Sequence, residues 1–483
     1  MKHYLAVDAG TTRIKAGLFN EEGSMIGMTS RFVKISMPGR GWCEMDMDEL
    51  WQLVSGAISE LSMLFSEQWK TLEAVGITAQ GEGAWLLDNE GKPVRNAILW
   101  NDSRNDQIPM RVWEESNLCS SRNHMVPLCV GSPLAILNWL KDHEPHSYSR
   151  IEHVVYCKDW LNFRLTGKIS TDWTDASTTA INVTKKTRVN EVFKILGIEE
   201  MIKKFPRILQ SGEVMGKVSA KGSSDTGIPV GTPVIAGCID ISATSAGLGA
   251  VAPGDSGSII GTTLGNIVIM GKDEVEEMNV EEGSILCHVK DGSYLRQMSA
   301  LSGAVVLDWC RKELGVAAND MSYLESEIKS VPPGSDGVIF LPYLFGERAP
   351  FKAPDASAVF YGLRFNHTRA HMIRAVYEGL VYSMYDCLTY MPKGNTGRFI
   401  AGGGSRSDLL CQIISDVTGE VVIRSNREEL GLYGIYKVIT GNWEEISFHS
   451  DRFFPDPDKN QIYMKMFGEF LRIRDRLIPR QYK

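Results

Sequence analysis

Asp8, Gly10, Thr11, Thr12 and Lys15 crowd one short stretch near the N-terminus. A carboxylate at a strand end suits a magnesium ion, directly or through water. Backbone amides and hydroxyls converging in a glycine turn suit phosphate oxygens, and Lys15 adds a point charge. Gly261-Thr262-Thr263 repeats the Gly-Thr-Thr turn far downstream, and Gly402-Gly403-Gly404 is a third glycine turn placed before a helix. A helix N-terminus behind glycines lets an anionic ligand sit on the positive end of the dipole. Two polar sets, Gln80/Glu82 and Asp102/Arg104, fall at strand ends, where small polar ligands reach the backbone. Either set alone reads as a salt-bridged surface loop. Asp240 stands between an apolar strand and a helix of small residues, at the bottom of a cleft. It can cap that helix and still act as a base, because the two roles are compatible.

The elements that must position these residues follow from apolar periodicity. Tyr4 to Phe19 alternates on both sides of Gly10-Thr11-Thr12, so it predicts a hairpin. Leu50, Leu53, Val54, Ala57, Ile58, Leu61, Leu64 and Phe65 recur at helical steps, with Asp48 as the N-cap. Ala74 to Thr78 is a strand leading to Gln80. Ala84 to Asp88 and Val94 to Trp100 read as a hairpin, with Trp85 and Trp100 as core aromatics. Pro127 to Leu140 reads as a turn and helix. Thr171 to Ser177 is polar and turn-rich, and reads as a solvated loop. Val234 to Gly237 is a buried strand before Asp240, and Ala252-Pro253-Gly254-Asp255 reads as a hinge. Ser258 to Ile269 is again strand, Gly-Thr-Thr turn, strand. A helix from Ser299 to Leu314 opens at Ser302-Gly303-Ala304, and a strand from Arg398 feeds the triple-glycine turn and a helix that Gly419 ends. The repeated hairpin predicts two similar halves, 1–250 and 251–483, each starting with a phosphate-binding turn. Two such turns facing each other across a cleft would clamp a nucleotide polyphosphate.

The chain has 483 residues, ample for two large domains with cores of their own. Hydrophobic content of 43% and charged content of 23% are ordinary for a globular protein. A net charge of −8 argues against a nucleic-acid partner. Nine scattered cysteines without a CxxC pair read as reduced thiols, which also argues against zinc. Without an apolar leader or a run long enough to span a bilayer, the expected location is the cytoplasm, away from membranes.

Taken together, these residues resemble the FGGY family of carbohydrate kinases, over nearly the whole chain. Asp8-Ala9-Gly10-Thr11-Thr12 is similar to the first phosphate motif, Gly261-Thr262-Thr263 to the second, and Gly402 to Ser407 to the adenosine motif. Ala358 to Glu378 fits the C-terminal signature, with Gly362, His371, Ala375 and Glu378 in place. The resemblance implies an α/β fold of two actin-like ATPase (ribonuclease H-like) domains, each a mixed sheet flanked by helices, with the active site in the cleft between them. It implies an enzyme that moves the γ-phosphate of ATP to a hydroxyl of a small sugar or polyol. In that reading Asp240 is the general base and Asp8 holds Mg2+. Thr11, Thr12, Arg13 and Lys15 lie at the transferring phosphate. Gly261, Thr262, Gly303, Gly403, Gly404 and Ser407 hold the nucleotide. Gln80, Glu82, Asp102 and Arg104 form the sugar wall. Family members are often dimers.

The chain departs from the family pattern at several places. Arg13 replaces a small hydroxyl residue, and Ile241 the amide common after the base. Gly81-Glu82 differs from the Met-His pair of D-xylulose kinases. Ile136 replaces a lysine, and Gly431 to Tyr436 keeps only the glycines of a small-residue helix. Gln80 to Gly83, Ile98 to Asp102 and Gly131 to Pro133 resemble kinases of L-xylulose and related ketoses or sugar acids. Two alternatives remain open from the residues: a catalytically weak sugar-binding regulator, and an actin-like ATPase.

Overall fold

The computed structural model describes residues 1–105, 108, 126, 128–278, 283–314, 321–443 and 450–478. Cys119 and Pro127 lie outside the described residues.

Each half is built on one mixed sheet, and the two sheets share a strand order. In the N-terminal sheet His3–Ala9 is antiparallel to Arg13–Asn20 and parallel to Leu72–Ala79. Met25–Phe32 extends one side, and Pro233–Ile235 and then Val214–Lys217 extend the other. In the C-terminal sheet Ser256–Ile260 is antiparallel to Leu264–Met270 and parallel to Arg398–Ala401. Tyr294–Ala300 extends one side, with Ser284–Cys287 beyond it, and Val422–Ser425 and Ser450–Phe453 extend the other. The duplicated Gly-Thr-Thr turn therefore marks a duplicated sheet. In both halves the turn joins the central strand to its antiparallel neighbour.

The helix Met47–Leu64 packs on Arg13–Asn20 and Met25–Phe32 through Leu50, Trp51, Val54, Ala57, Ile58 and Leu61, all buried. Its N-cap is Asp46, not Asp48. The Asp46 carboxylate accepts the N–H groups of Asp48 and Glu49. Asp48 instead takes an Arg164 guanidinium N–H at 2.6 Å. The expected hairpin at 84–100 is also rearranged. Trp85–Leu87 pairs with His153–Val155, and Ala97–Ile98 pairs with Glu44–Met45. Only single bridges, such as Ala84 to Ile98, join the two expected strands. The helix expected from Ser299 spans Val305–Glu313, because Ser299 and Ala300 still belong to the strand Tyr294–Ala300.

Two helices lie between the sheets and fix how the halves meet. Asp240–Leu248 and Leu430–Thr440 pack directly on each other, and Leu430–Thr440 also lies on His3–Ala9 and Leu72–Ala79. A Cβ at Gly434 would fall 1.8 Å from the Ala243 carbonyl oxygen, and one at Gly247 would fall 2.0 Å from that of Leu430. Side chains at either position would force the backbones apart, so the glycines are required by the approach. The bulky residues of the second helix turn away from this seam. Tyr433 and Tyr436 pack on Phe19, with ring centroids 5.2 and 5.0 Å away, and the Tyr436 hydroxyl donates to the Glu21 carbonyl at 3.1 Å. The helix thus keeps Gly434 where the backbones touch and Gly431 where a Cβ would meet the Asp8 carboxylate.

Candidate active site

Asp240 opens the helix Asp240–Leu248, and Ile239 is the N-cap. Asp240 is thus inside the first turn, where its Oδ1 accepts the Ile241 N–H at 2.7 Å. The turn that delivers it is pinned from two sides. The Thr78 hydroxyl donates to the Cys238 carbonyl at 2.7 Å, and the Ile239 N–H donates to Thr174 Oγ1 at 2.8 Å. Burial raises the Asp240 carboxyl to about 7, with the nearby Asp8 and Glu82 charges adding to the rise and the Ile241 N–H opposing it. A general base is most effective when its pKa lies near the working pH.

Asp8 is the penultimate residue of the central N-terminal strand, opposite Lys15 in the ladder. Burial raises it to about 6, Lys15 pulls it down and Glu429 pushes it up. Asp8 and Asp240 are half-buried carboxylates, and the Asp8 charge adds to the rise at Asp240, so a hard divalent cation would find negative charge to neutralise there. Among the described residues no group of three or more His, Cys, Asp or Glu side chains could hold a metal. Magnesium needs no such cage, since it keeps several waters and takes one or two carboxylates plus phosphate oxygens. Asp8 with Asp240 fits that pattern.

The segment carrying Gln80 and Trp100 forms a wall that meets the Gly10-Thr11-Thr12 turn at one hydroxyl. Thr11 Oγ1 donates to Gln80 Oε1 at 3.2 Å and accepts the Trp100 indole N–H at 3.1 Å. Gln80 is buried, whereas Trp100 is exposed, so the expectation that Trp100 is a core aromatic is corrected. Trp85 is the core aromatic, fully buried. Glu82 holds a left-handed φ of 56° and is followed by Gly83 at 70°. A non-glycine residue in that region stores strain, which clusters at functional sites. Burial raises Glu82 to about 7, with the Cys129 thiol at 3.5 Å and the more distant Arg348 opposing the rise. A Cβ at Gly81 would fall 2.1 Å from Ile239 Cδ1, so a larger residue there would have to displace the Ile239 side chain next to Asp240.

Asp102 and Arg104 reach the same wall but face each other. Asp102 accepts the Cys43 N–H at 2.6 Å, the Arg104 N–H at 3.0 Å and two guanidinium N–H groups at 2.8 Å. Arg104 also donates to Glu44 at 2.8 Å and packs against the rings of Trp42 and Trp139, at 4.2 and 5.0 Å, which meet each other edge to face. This is a buried brace behind the wall. Thr171 to Ser177, expected as a solvated loop, is another brace. Lys158 lies 2.7, 2.9 and 2.8 Å from Asp159, Asp172 and Asp175, all almost fully buried. Burial works against the Lys158 ammonium, yet the three carboxylates hold its pKa well above the usual lysine value. Thr174, between Asp172 and Asp175, is the residue that anchors Ile239 beside Asp240.

In the C-terminal half the turn at Gly261 to Thr263 is tied to Ser302-Gly303-Ala304. The Gly303 N–H donates to the Thr262 carbonyl at 3.0 Å and the Ala304 N–H to that of Gly261 at 2.7 Å. A Cβ at Gly303 would fall 2.4 Å from the Gly261 carbonyl oxygen. Gly404 packs on Ile260, whereas Gly403 faces open space. The Ser407 hydroxyl is buried and doubly committed. It accepts the Leu410 N–H at 3.0 Å and donates to Glu325 at 2.5 Å, so its contacts are those of a helix cap. Thr12 and Arg13 are exposed at the first turn, and the Arg13 guanidinium stacks 4.3 Å from the Phe32 ring centroid. Lys15 pairs with Glu429, a partner that sequence reasoning missed because it comes from the other half of the chain. Cys129 carried no sequence signal either.

Residues 3–247 match the N-terminal domain of the FGGY family of carbohydrate kinases, and residues 258–439 match its C-terminal domain. The chain belongs to the FGGY family. It is 30% identical over 441 residues to a protein described as a probable L-xylulose kinase from Pasteurella multocida, covering 90% of this chain and 89% of that relative. It is 29% identical to the L-xylulose/3-keto-L-gulonate kinase of Escherichia coli, over 97% of this chain and 96% of that one. A xylulose kinase from Lactobacillus acidophilus superposes with a TM-score of 0.89 at 24% identity, covering 99% of this chain and 98% of that one, a likeness of fold. This FGGY protein is therefore a carbohydrate kinase, and kinases of its family use ATP. The eight cysteines among the described residues are free thiols. No helix among them is long and apolar enough to cross a membrane.

Proposed function

We propose that this kinase phosphorylates a small ketose such as L-xylulose, or a related sugar acid, with Asp240 as the general base. The observation that carries the reading is the shared position of Thr11, which bonds to Gln80 and Trp100 of the sugar wall while belonging to the phosphate turn. An acceptor hydroxyl held by Gln80, Glu82 and Trp100 would lie next to the transferring phosphate and near Asp240. Asp240 then takes the hydroxyl proton as the oxygen attacks the γ-phosphorus. Thr11, Thr12, Arg13 and Lys15 bind the oxygens of the transferring group. Gly261, Thr262, Gly303, Gly403 and Gly404 line the path of the nucleotide. Magnesium, at Asp8 and Asp240, would supply charge neutralisation for the β- and γ-phosphates. Asp102 and Arg104 brace the wall, and Ser407 caps the helix behind the glycine turn.

ADP release with Mg2+ and ATP, measured across ketoses, pentitols, tetritols, glycerol and sugar acids, tests this. Strong turnover with L-xylulose or a sugar acid is the expected result. Strong turnover with glycerol alone would overturn the substrate class. Sugar binding without ADP formation would favour a regulator.

A further inference from the structure

Lys15 Nζ and Glu429 Oε2 lie 2.5 Å apart, with side-chain exposures of 26% and 18%. The pair joins the second strand of the N-terminal sheet to the segment that opens the helix Leu430–Thr440, and so spans the two halves of the chain. Glu429 is the residue before that helix, and a carboxylate there ordinarily serves the helix's free N–H groups. It makes no such bond, and its side chain reaches across to Lys15. Two residues on, a Cβ at Gly431 would fall 2.4 Å from Asp8 Oδ2. Asp8 is in turn the ladder partner of Lys15. Asp8, Lys15 and Glu429 thus share one neighbourhood, with the ammonium paired to Glu429, its charge acting on Asp8, and the Gly10-Thr11-Thr12 turn beside them. Arg13, the other cation of the turn, is stacked on Phe32.

A lysine ammonium on a flexible stem loses much of its value as an electrostatic catalyst unless something fixes its place. We infer that Glu429 is a positioning residue for phosphoryl transfer, holding the Lys15 ammonium at the first phosphate turn and tying it to the helix between the lobes. The inference rests on the proposed contact of Lys15 with the transferring phosphate. Glu429 itself touches neither phosphate nor sugar in this account. Its effect passes through Lys15, so it should appear in turnover more than in sugar affinity.

The experiment is steady-state kinetics of Glu429→Gln, Glu429→Asp, Lys15→Met and Lys15→Met/Glu429→Gln, with Mg·ATP and L-xylulose or the best acceptor from the panel. Glu429→Gln should lower kcat about tenfold or more with the sugar KM within about twofold. Its melting temperature should stay within about 2 °C, because a half-exposed ion pair contributes little stability. Glu429→Asp should recover part of kcat. The double variant should be no worse than Lys15→Met alone, since the two residues act as one unit. A wild-type kcat in Glu429→Gln beside a crippled Lys15→Met, or additive losses in the double variant, would overturn the inference and leave the phosphate role of Lys15 intact. Full transfer in Lys15→Met would overturn that role and the inference together.

Discussion

The Trp100 indole donates its N–H to the Thr11 hydroxyl at 3.1 Å, which ties the segment proposed to bind the sugar to the Gly10-Thr11-Thr12 turn. Trp100→Phe keeps a ring in the cleft and removes only that donor. One neutral hydrogen bond is worth about 1 kcal/mol, or roughly fivefold in rate. A fall of about that size in kcat/KM for the sugar is expected, with ADP affinity unchanged. An unchanged kcat/KM would mean that the bond does not organise the site.

Asp240 is raised to about 7 by burial. The free enzyme's kcat/KM should therefore rise with pH through about 7, as the base loses its proton. Stability runs the opposite way. Between the ordinary carboxylate range and about 7 the folded state holds a proton that the unfolded chain has released, so stability falls as pH rises through that window. Asp240→Asn removes this penalty. Its unfolding free energy at pH 8 should exceed that of the parent by at least about 1 kcal/mol, one pKa unit being 1.36 kcal/mol, and the gain should vanish near pH 4. Denaturant titration at both pH values checks it, and an equal gain at both would contradict the assignment of the shift.

Arg104 is closed in by Asp102, Glu44 and two tryptophan rings. Truncating one partner of a buried pair costs about 3–5 kcal/mol, because the other charge is left uncompensated. Arg104→Ala should lose that much in urea unfolding. Arg104→Lys should lose less, since it keeps the charge but not the planar fork. Equal losses in the two variants would show that the retained charge recovers nothing, and would contradict the charge-compensation account of the brace.

Gly434 lets the two interlobe helices touch. Gly434→Ala should force them apart at a cost of about 1–3 kcal/mol, typical of overpacking. The kcat should fall as well, since the Ala243 carbonyl against Gly434 belongs to the same short helix as Asp240. Thermal unfolding and kinetics on the one variant separate the two effects, and a variant unchanged in both would contradict the close-approach account.

What could be read from sequence was local. Gly10-Thr11-Thr12 and Gly261-Thr262-Thr263 announce themselves because turn chemistry is set by neighbouring residues, and their repetition gave away the duplicated sheet. Asp240 was legible from a strand, a carboxylate and small residues in succession. What was hidden depends on partners distant in the chain. Thr171 to Ser177 looks solvated until Lys158 arrives from another helix, and the Asp102 carboxylate is engaged by an Arg104 guanidinium that Trp42 and Trp139 hold in place. Trp100 reads as core because an indole carries no mark of which side it faces. Glu429 could not be paired with Lys15 without knowing that the Leu430 helix lies on the first sheet. Asp46 and Asp48 are a two-residue ambiguity that only cap geometry resolves.

The most direct test of the central claim compares Asp240→Asn with the parent enzyme, measuring both sugar-phosphate formation and ADP binding. General-base catalysis contributes about a hundred- to ten-thousand-fold. The account expects transfer to fall by at least that range's lower bound while ADP binds as before. Full transfer by Asp240→Asn would contradict it.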